Sequence, residues 1–266
     1  GEQAIGLAAT LGLAMCMNRY RTKDLFAFEK EFFRVKRYLY ISRPYAMGLM
    51  KGLDRMERCY YESRSKDVPD KELIEHIKKE LIAEACAMKL ENIKTCLSIA
   101  ENGYSLMKPG VGVLTWSNAG HLAVSRYGTA LAPIYMAHQN GYMPRIYACE
   151  TRPLLQGARL TAFELRKAGV DVTLICDSMV SSLMKQGKVD MVFLGANVIS
   201  ANGDLVSTVG SSTVAIMAKY YNIPCYVVAA TEVIDFNLTD TNTVTVEQRP
   251  EYEVTELYYE KPVAPK

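Results

Sequence analysis

The feature that most constrains the fold is an alternation of short β-rich runs with longer helix-like segments, beginning after Lys108-Pro109-Gly110. The intervening segments are about 14 to 28 residues long, which is enough for crossover helices. This βαβ rhythm predicts an α/β fold with a Rossmann-like, doubly wound and mainly parallel sheet. The β-rich runs are 111–116, 145–150, 171–177, 191–196 and 225–230.

Residues 1–107 have the pattern of a helical N-terminal domain, followed by the α/β domain over residues 108–266. An amphipathic helix is predicted over residues 24–40, and Arg43-Pro44 predicts a break and the start of the next helix. Pro69-Asp70 opens the longest predicted helix, with Asp70 as its N-cap and Asn102-Gly103 as its stop. Because the chain begins at Gly1, we expect the helical domain to be truncated at its start.

Composition excludes several classes of protein. The 266 residues are 49% hydrophobic and 23% charged, as in ordinary globular proteins, and the net charge of +2 argues against nucleic acid or an anionic membrane as the main partner. The seven cysteines include no CxxC pair, and the three histidines are far apart, so we expect reduced thiols, a cytoplasmic protein, and neither metal nor cofactor. The longest apolar runs are strand-length, so no transmembrane helix is predicted.

Polar residues follow the predicted strands. Carboxyl ends of parallel strands meet at one edge of the sheet, where helix N-termini favour anions and where ligands bind in such folds. The sequence therefore predicts a small-molecule site at this edge. The candidate residues are Ser117, Asn118, Glu150, Arg152, Gln156, Asn197, Asn202 and Asp204.

Simpler interpretations exist for several of these features. Asp177 and Ser178 have the residue types of ordinary helix caps, and Arg152 could form a surface ion pair. Cys149 and Cys176 lie in predicted strands and are expected to pack in the core. Trp116 could stack on a sugar or a base, but core packing is the favoured interpretation. His121 could act as an acid or base, although packing is the commoner role.

Several long runs carry a resemblance to a known family. The first is Leu114-Thr-Trp-Ser-Asn-Ala-Gly120, followed by Tyr127-Gly-Thr-Ala-Leu131. The next are Glu150-Thr-Arg-Pro153 and Gln156-Gly-Ala-Arg-Leu-Thr-Ala162, and then the run Gly195–Asp204. With the Gly1 and Arg43-Pro44 elements, these runs make the chain resemble the methylthioribose-1-phosphate isomerase family, which is related to the regulatory subunits of translation initiation factor 2B.

The resemblance implies a fold, a reaction and a site. Family members look like homodimeric isomerases that convert an aldose 1-phosphate to a ketose 1-phosphate in methionine salvage, without a cofactor. A cysteine and an aspartate are thought to share the transfer of a proton or a hydride in a dry pocket. The resemblance implies that Gly1, Arg43 and Gln156 bind the phosphate. The other implied substrate-binding residues are Asn118, Glu150, Arg152, Asn202, Asp204, Ser207 and Thr208.

This sequence departs from the family at the two positions that matter most for catalysis. Ser117 stands where the family has its cysteine, and Asn197 where it has its aspartate. Ser207-Thr208 replaces an Asn-Lys pair expected near the phosphate, so we interpret the changes as natural divergence rather than engineering. Two hypotheses follow: a sugar-phosphate isomerase relative with impaired acid and base groups, or a non-catalytic regulatory protein that binds a sugar phosphate or a nucleotide.

Overall fold

The structure, a computed structural model, describes residues 1–44, 46–64 and 67–261. The chain divides into two compact units, residues 1–94 and 95–266. The division falls within a single long helix, before the point at residues 107–108 where the sequence pattern changes. None of the described helices is both long and apolar enough to cross a membrane.

The first unit is helical, as the sequence predicts. Its elements are α1 (Glu2–Arg19), α2 (Leu25–Ser42), α3 (Met47–Ser63) and the first part of α4 (Asp70–Tyr104). Buried aromatic and aliphatic side chains form its core, where the rings of Phe32 and Tyr60 stack with centroids 4.7 Å apart. Gly6 allows α1 to approach α3 closely, since a Cβ there would lie 2.4 Å from the carbonyl oxygen of Gly48.

The helix boundaries correct three predictions in part. Asp70 is the first residue of α4 rather than its cap, and its carboxylate accepts the N–H of Leu25 at the start of α2. Pro44 lies in a turn and α3 begins only at Met47, so the proline does not occupy a first helical turn. The longest helix passes Gly103 and ends at Tyr104. The amphipathic helix predicted over 24–40 is confirmed as α2.

The second unit is built on a five-stranded sheet in the order β3-β2-β1-β4-β7, with every pairing parallel. All five predicted strands are present, each ending before the predicted carboxyl end because the chain turns into a loop. The strands are β1 (Gly112–Thr115), β2 (Arg145–Cys149), β3 (Asp171–Ile175), β4 (Met191–Leu194) and β7 (Cys225–Val227).

Helices cover both faces of this sheet, which confirms the doubly wound class. Val113 faces a core containing α5 (Ala132–Gln139) and α6 (Ala162–Lys167). Leu114, the next residue, faces a core containing α7 (Val180–Lys185) and α8 (Ser211–Tyr220). Adjacent side chains of a strand point to opposite faces, so a continuous apolar run suits a strand buried on both sides.

The expectation of core packing holds for one of the two strand cysteines. Cys149 is buried at the end of β2, whereas Cys176 is exposed. Cys176 follows the last residue of β3, Ile175, and so lies in the loop rather than in the sheet. The predicted strand was too long at this end, which is why the prediction for Cys176 was wrong.

A second sheet of three short strands lies in the same unit. Its order is β6-β5-β8, formed by β5 (Val198–Ser200), β6 (Leu205–Val206) and β8 (Ile234–Asp235). Beyond it, the chain forms one short helix, α9 (Tyr252–Thr255), within otherwise irregular structure. This sheet holds the segment that follows β4 and thereby shapes the candidate site.

Candidate functional site

Ser117 lies where β1 ends and has the left-handed backbone conformation, with φ of 64°. This conformation is uncommon for a residue other than glycine and needs support from its surroundings. The Ser117 N–H donates to Oγ1 of Thr151 at 2.9 Å, and its carbonyl oxygen accepts from Oγ1 of Thr161 at 2.6 Å. Two threonines from neighbouring segments therefore fix the backbone at this position.

The Ser117 hydroxyl joins three strand-end segments. It donates to Oε1 of Gln156 at 2.9 Å and lies 3.0 Å from Oγ1 of Thr208. We call Ser117, Gln156 and Thr208 the hydroxyl cluster. All three side chains were predicted site residues, and the structure brings them together. Their hydroxyl and amide groups can donate and accept hydrogen bonds, but they carry no charge near neutral pH.

Asn118 extends this site toward a buried carboxylate. Its Nδ2 donates to Oε1 of Glu164 at 2.9 Å, and Glu164 also accepts the N–H of Leu122 at 3.3 Å. Burial, together with the charge of Glu164, raises the pKa of Tyr135 above its ordinary value. Oδ1 of Asn118 is buried and has no hydrogen-bond partner among the described residues. A buried acceptor without a partner is costly, so a ligand hydroxyl at this point would be stabilising.

The loop that follows β2 presents Gln156. The Asp177 carboxylate accepts the N–H of Thr151 at 2.8 Å and that of Arg152 at 2.7 Å. Asp177 was interpreted as a cap of its own helix. The structure corrects this, because its carboxylate holds the backbone of a neighbouring loop. Cys176 occupies the N-cap position before Asp177, and no side chain caps that turn.

A π-helical turn, Gly157–Thr161, connects this loop to α6. A Cβ at Gly157 would lie only 1.7 Å from the carbonyl oxygen of Cys149, so the turn packs directly against the end of β2. Single π-helical turns are rare and occur frequently at functional sites. Here the turn places the Thr161 hydroxyl against the backbone of Ser117.

The Arg152 side chain has partners within its own unit. Its Nη2 donates to the carbonyl oxygen of Val254 at 2.6 Å and its Nη1 to that of Pro153 at 3.2 Å. The guanidinium also lies over the ring of Tyr259, 5.5 Å from its centroid. The alternative of a surface ion pair is therefore not what these contacts describe.

The segment 195–208 positions Thr208. The Asn197 N–H donates to the carbonyl oxygen of Val206 at 2.9 Å, and the Ser207 hydroxyl donates to that of Gly195 at 2.8 Å. The Ser211 hydroxyl donates to the carbonyl oxygen of Thr208 at 2.7 Å. Asn197, Ser207 and Thr208 thus belong to one hydrogen-bonded segment, which reaches Ser117 through Thr208.

Asn202 and Asp204 lie in the exposed turn between β5 and β6. Nδ2 of Asn202 donates to Oδ2 of Asp204 at 2.8 Å, and the Ser200 hydroxyl donates to Oδ1 of Asn202. These hydrogen bonds are internal to the turn and stabilise its conformation. A ligand role for Asn202 and Asp204 remains a prediction.

Three further predicted site residues take their places in the backbone framework. Gly1 and Arg43 lie in the first unit, where the carbonyl oxygen of Gly1 accepts the N–H of Ile5 at the start of α1. Glu150 lies at the end of β2, and its carbonyl oxygen accepts the N–H of Gly157 at 3.1 Å. Phosphate or sugar binding by Gly1, Arg43 and Glu150 remains a prediction.

A cavity of about 350 Å³ lies beside the hydroxyl cluster. Trp116 lines it and is only 5% exposed, which confirms the core-packing interpretation. Val209 and Gly210, which follow Thr208, also line it. Among the residues that the structure describes, no three His, Cys, Asp or Glu side chains come together as a metal site.

Sequence reasoning missed Thr151, Thr161 and Glu164 as parts of the site. Two of them were within reach, because Thr151 and Thr161 belong to the runs that carry the family resemblance. They were passed over because a threonine in such a run has no distinctive chemistry of its own. Glu164 lies in a helix, where nothing in the sequence distinguishes a buried carboxylate from an exposed one.

Comparisons with known proteins agree with this geometry. The model of the Initiation factor 2 subunit family matches residues 1–264. The chain is 48% identical to the methylthioribose-1-phosphate isomerase of Parabacteroides distasonis, covering 100% of this chain and 78% of the relative. It is 45% identical to the 5-deoxyribose 1-phosphate isomerase of Petrotoga mobilis, covering 96% of this chain and 72% of the relative.

Solved structures share the fold over the whole chain. The 5-methylthioribose 1-phosphate isomerase of Pyrococcus horikoshii has a TM-score of 0.91 at 32% identity, with 100% of this chain and 72% of that chain covered. Subunit delta of the translation initiation factor eIF-2B from A. fulgidus has a TM-score of 0.86 at 34% identity, with 100% and 75% covered.

The fold and the site together define an α/β protein with a candidate ligand site at the carboxyl edge of a parallel sheet. Within that class, the chain belongs to the Initiation factor 2 subunit family, and its relatives include methylthioribose-1-phosphate and 5-deoxyribose 1-phosphate isomerases.

Proposed function

We propose that this chain binds an aldopentose 1-phosphate at the hydroxyl cluster, in the manner of a methylthioribose-1-phosphate isomerase, but isomerises it very slowly. The observation that carries the proposal is the convergence of Ser117, Gln156 and Thr208 at the carboxyl edge of the sheet. Neutral hydroxyl and amide groups suit the hydroxyls of a sugar. The partnerless acceptor of Asn118, on the residue next to Ser117, supplies a further place for a sugar hydroxyl.

The same residues account for slow turnover. An aldose 1-phosphate must first open its ring, which breaks the bond between C1 and the ring oxygen as that oxygen takes up a proton. Moving the hydrogen from C2 to C1 then needs a group that accepts a proton and one that donates it. A serine hydroxyl is not ionised near neutral pH without strong activation, and an asparagine amide cannot take up or release a proton there. Ser117 and Asn197 therefore leave the reaction without the acid and base that the family resemblance implies.

The contacts of Ser117 point the same way. Activation of a serine needs a neighbouring base that accepts its proton. The described partners of the Ser117 hydroxyl are an amide oxygen and another hydroxyl, neither of which is such a base. The hydroxyl is thus placed to bind a ligand rather than to exchange a proton with it.

Binding and turnover are tested separately. Isothermal titration with methylthioribose 1-phosphate, 5-deoxyribose 1-phosphate and ribose 1-phosphate, with inorganic phosphate as the control, should give saturable binding of at least one sugar phosphate. A coupled ketose assay on that compound should give little product beside an active relative run in parallel. Failure of all three sugars to bind would overturn the proposal, and so would turnover equal to that of the active relative.

A second candidate function is a non-catalytic regulatory role. It is favoured by the similarity to initiation factor eIF-2B subunit delta, which at 34% identity is as close in sequence as the P. horikoshii isomerase at 32%. In that case AMP, rather than a sugar 1-phosphate, is the compound to titrate first. Binding of the nucleotide without binding of any sugar phosphate would support this function over the first.

A further inference from the structure

The C-terminal segment, residues 249–259, contacts the loop that presents Gln156 to Ser117. We infer that Arg152 is a positioning residue, which joins this segment to the Gln156 loop and so holds the hydroxyl cluster in shape. The inference rests on the proposed function only for its effect on ligand binding. Its structural part concerns contacts among the described residues alone.

Arg152 is held by its backbone and by its side chain. Its N–H donates to Asp177 at 2.7 Å, which fixes the loop to the turn after β3. Its guanidinium donates to the carbonyl oxygen of Val254 at 2.6 Å and covers the ring of Tyr259. One residue thus ties the Gln156 loop to two other parts of the fold, four positions before the glutamine itself.

The C-terminal segment has a second contact with the same region. The Arg159 guanidinium lies over the ring of Tyr258, 5.1 Å from its centroid, while its Nε donates to the carbonyl oxygen of Leu154 at 2.9 Å. Consecutive tyrosines therefore cover two arginines on either side of Gln156. Guanidinium groups over aromatic rings are stabilising when partly desolvated.

The segment also carries its own brace. Glu253 is only 3% exposed and forms two hydrogen bonds with Arg249, through Nε and through Nη2. A bidentate pair between an arginine and a buried carboxylate fixes both groups in one geometry. This pair keeps the short helix α9 in place, so the Val254 carbonyl is presented to Arg152 from an ordered support.

The Gln156 loop needs such support because of its backbone. Thr151 and Leu155 both have positive φ, 60° and 50°, and neither is a glycine. Strained conformations of this kind persist only where the surrounding contacts over-determine them. Loosening Arg152 should let the loop relax, which would move Gln156 away from the Ser117 hydroxyl.

The first experiment needs no ligand and uses Trp116, the single tryptophan of the chain. Trp116 and Arg152 line the same cavity, so acrylamide quenching of tryptophan fluorescence reports how well that region is covered. Arg152→Lys and Tyr259→Leu should each raise the quenching constant about twofold or more, since local opening exposes the indole. Arg166→Lys, an exposed arginine on α6, is the matched control and should leave it unchanged. Unchanged quenching in both test variants would overturn the inference.

The second experiment separates positioning from general destabilisation. It is a double-mutant cycle of Arg152→Lys and Gln156→Ala, read as the dissociation constant of the sugar phosphate that binds best. Arg152→Lys alone should weaken binding about fivefold to tenfold, and this loss should largely disappear in the Gln156→Ala background. Equal losses in the two backgrounds would mean that Arg152 does not act through Gln156.

The two experiments also distinguish the failure of this inference from the failure of the proposed function. If the unaltered protein binds no sugar phosphate, the proposed function is wrong, and the quenching experiment still decides the structural role of Arg152. If the sugar phosphate binds and the cycle shows no coupling, the function stands and the positioning role is wrong.

Discussion

The indole N–H of Trp116 donates to the backbone carbonyl oxygen of Val209 at 3.0 Å. The bond spans from the end of β1 to the start of α8, and the residue after Val209 is Gly210, which has φ of 92°. A Cβ at Gly210 would lie 2.2 Å from Cζ2 of Trp116. The indole therefore requires a glycine at this position for reasons of space as well as of backbone conformation.

We predict that Gly210→Ala destabilises the protein more than a substitution with positive φ alone would. The left-handed conformation costs a non-glycine residue about 1–2 kcal/mol, and overpacking against the indole adds about 1–3 kcal/mol. Urea denaturation measures the change in the free energy of unfolding. Gly187→Ala is the matched control, because Gly187 has φ of 66° but nothing within 4 Å of the added carbon. Equal losses for the two variants would contradict the predicted clash.

Restoring the ionisable pair should restore catalysis. We expect the double variant Ser117→Cys, Asn197→Asp to raise kcat on the sugar phosphate that binds by about 10²-fold or more, since one general acid or base is worth about 10²–10⁴-fold. The coupled ketose assay measures the gain, with the two single variants as controls. A double variant no faster than the unaltered protein, although it binds the sugar equally well, would show that other positions limit the reaction.

Glu164→Gln should disturb the site through its hydrogen bonds. The carboxylate accepts from Asn118 Nδ2 and from the Leu122 N–H, whereas an amide offers only one acceptor oxygen and places its NH₂ against a donor. We expect a loss of about 1–3 kcal/mol in the free energy of unfolding, measured with urea. Glu164→Ala would lose both acceptors and should cost at least as much. Full stability in Glu164→Gln would show that these bonds are not important.

Stability should fall at alkaline pH through Cys96. Burial raises the pKa of this thiol to about 11, from an ordinary value near 9.0. The unfolded chain therefore releases the proton at a lower pH than the folded protein does. The stabilisation is present in full below about pH 9 and is lost as the pH rises toward 11, by about 2–3 kcal/mol.

Cys96→Ala isolates this effect. The variant loses some packing at every pH, but its stability should fall less than that of the unaltered protein between pH 8.5 and pH 10.5, as measured by urea denaturation at each pH. Parallel pH curves for the two proteins would assign the alkaline loss to other groups.

Much of the fold could be predicted because its pattern is local. The runs that became β1 to β4 and β7 are apolar and bounded by turn residues, and their spacing leaves room for helices on both faces. The boundaries were less predictable, as Asp70 and Pro44 show, since both have the residue type of a helix start and neither serves as one. In Asp70, a contact with another helix, at Leu25, took the place of the local cap. Such a contact depends on tertiary packing, which no local pattern contains.

The site could be predicted as a place, but its inner contacts could not. Ser117, Gln156 and Thr208 were expected at one edge of the sheet, and they meet there. Nothing in the sequence indicated that Asp177 would hold the backbone of Thr151 and Arg152. The left-handed conformation of Ser117 was equally hidden, because it depends on two threonine hydroxyls from distant segments.

The position of Ser117 is fixed by its own backbone N–H and carbonyl groups, and Asn197 is paired through its backbone N–H. The framework therefore does not depend on which side chain either position carries. A lineage can exchange the chemistry at residues 117 and 197 while the surrounding architecture stays intact. Reactive and unreactive members of one family can thus be separated by very few substitutions, in either direction.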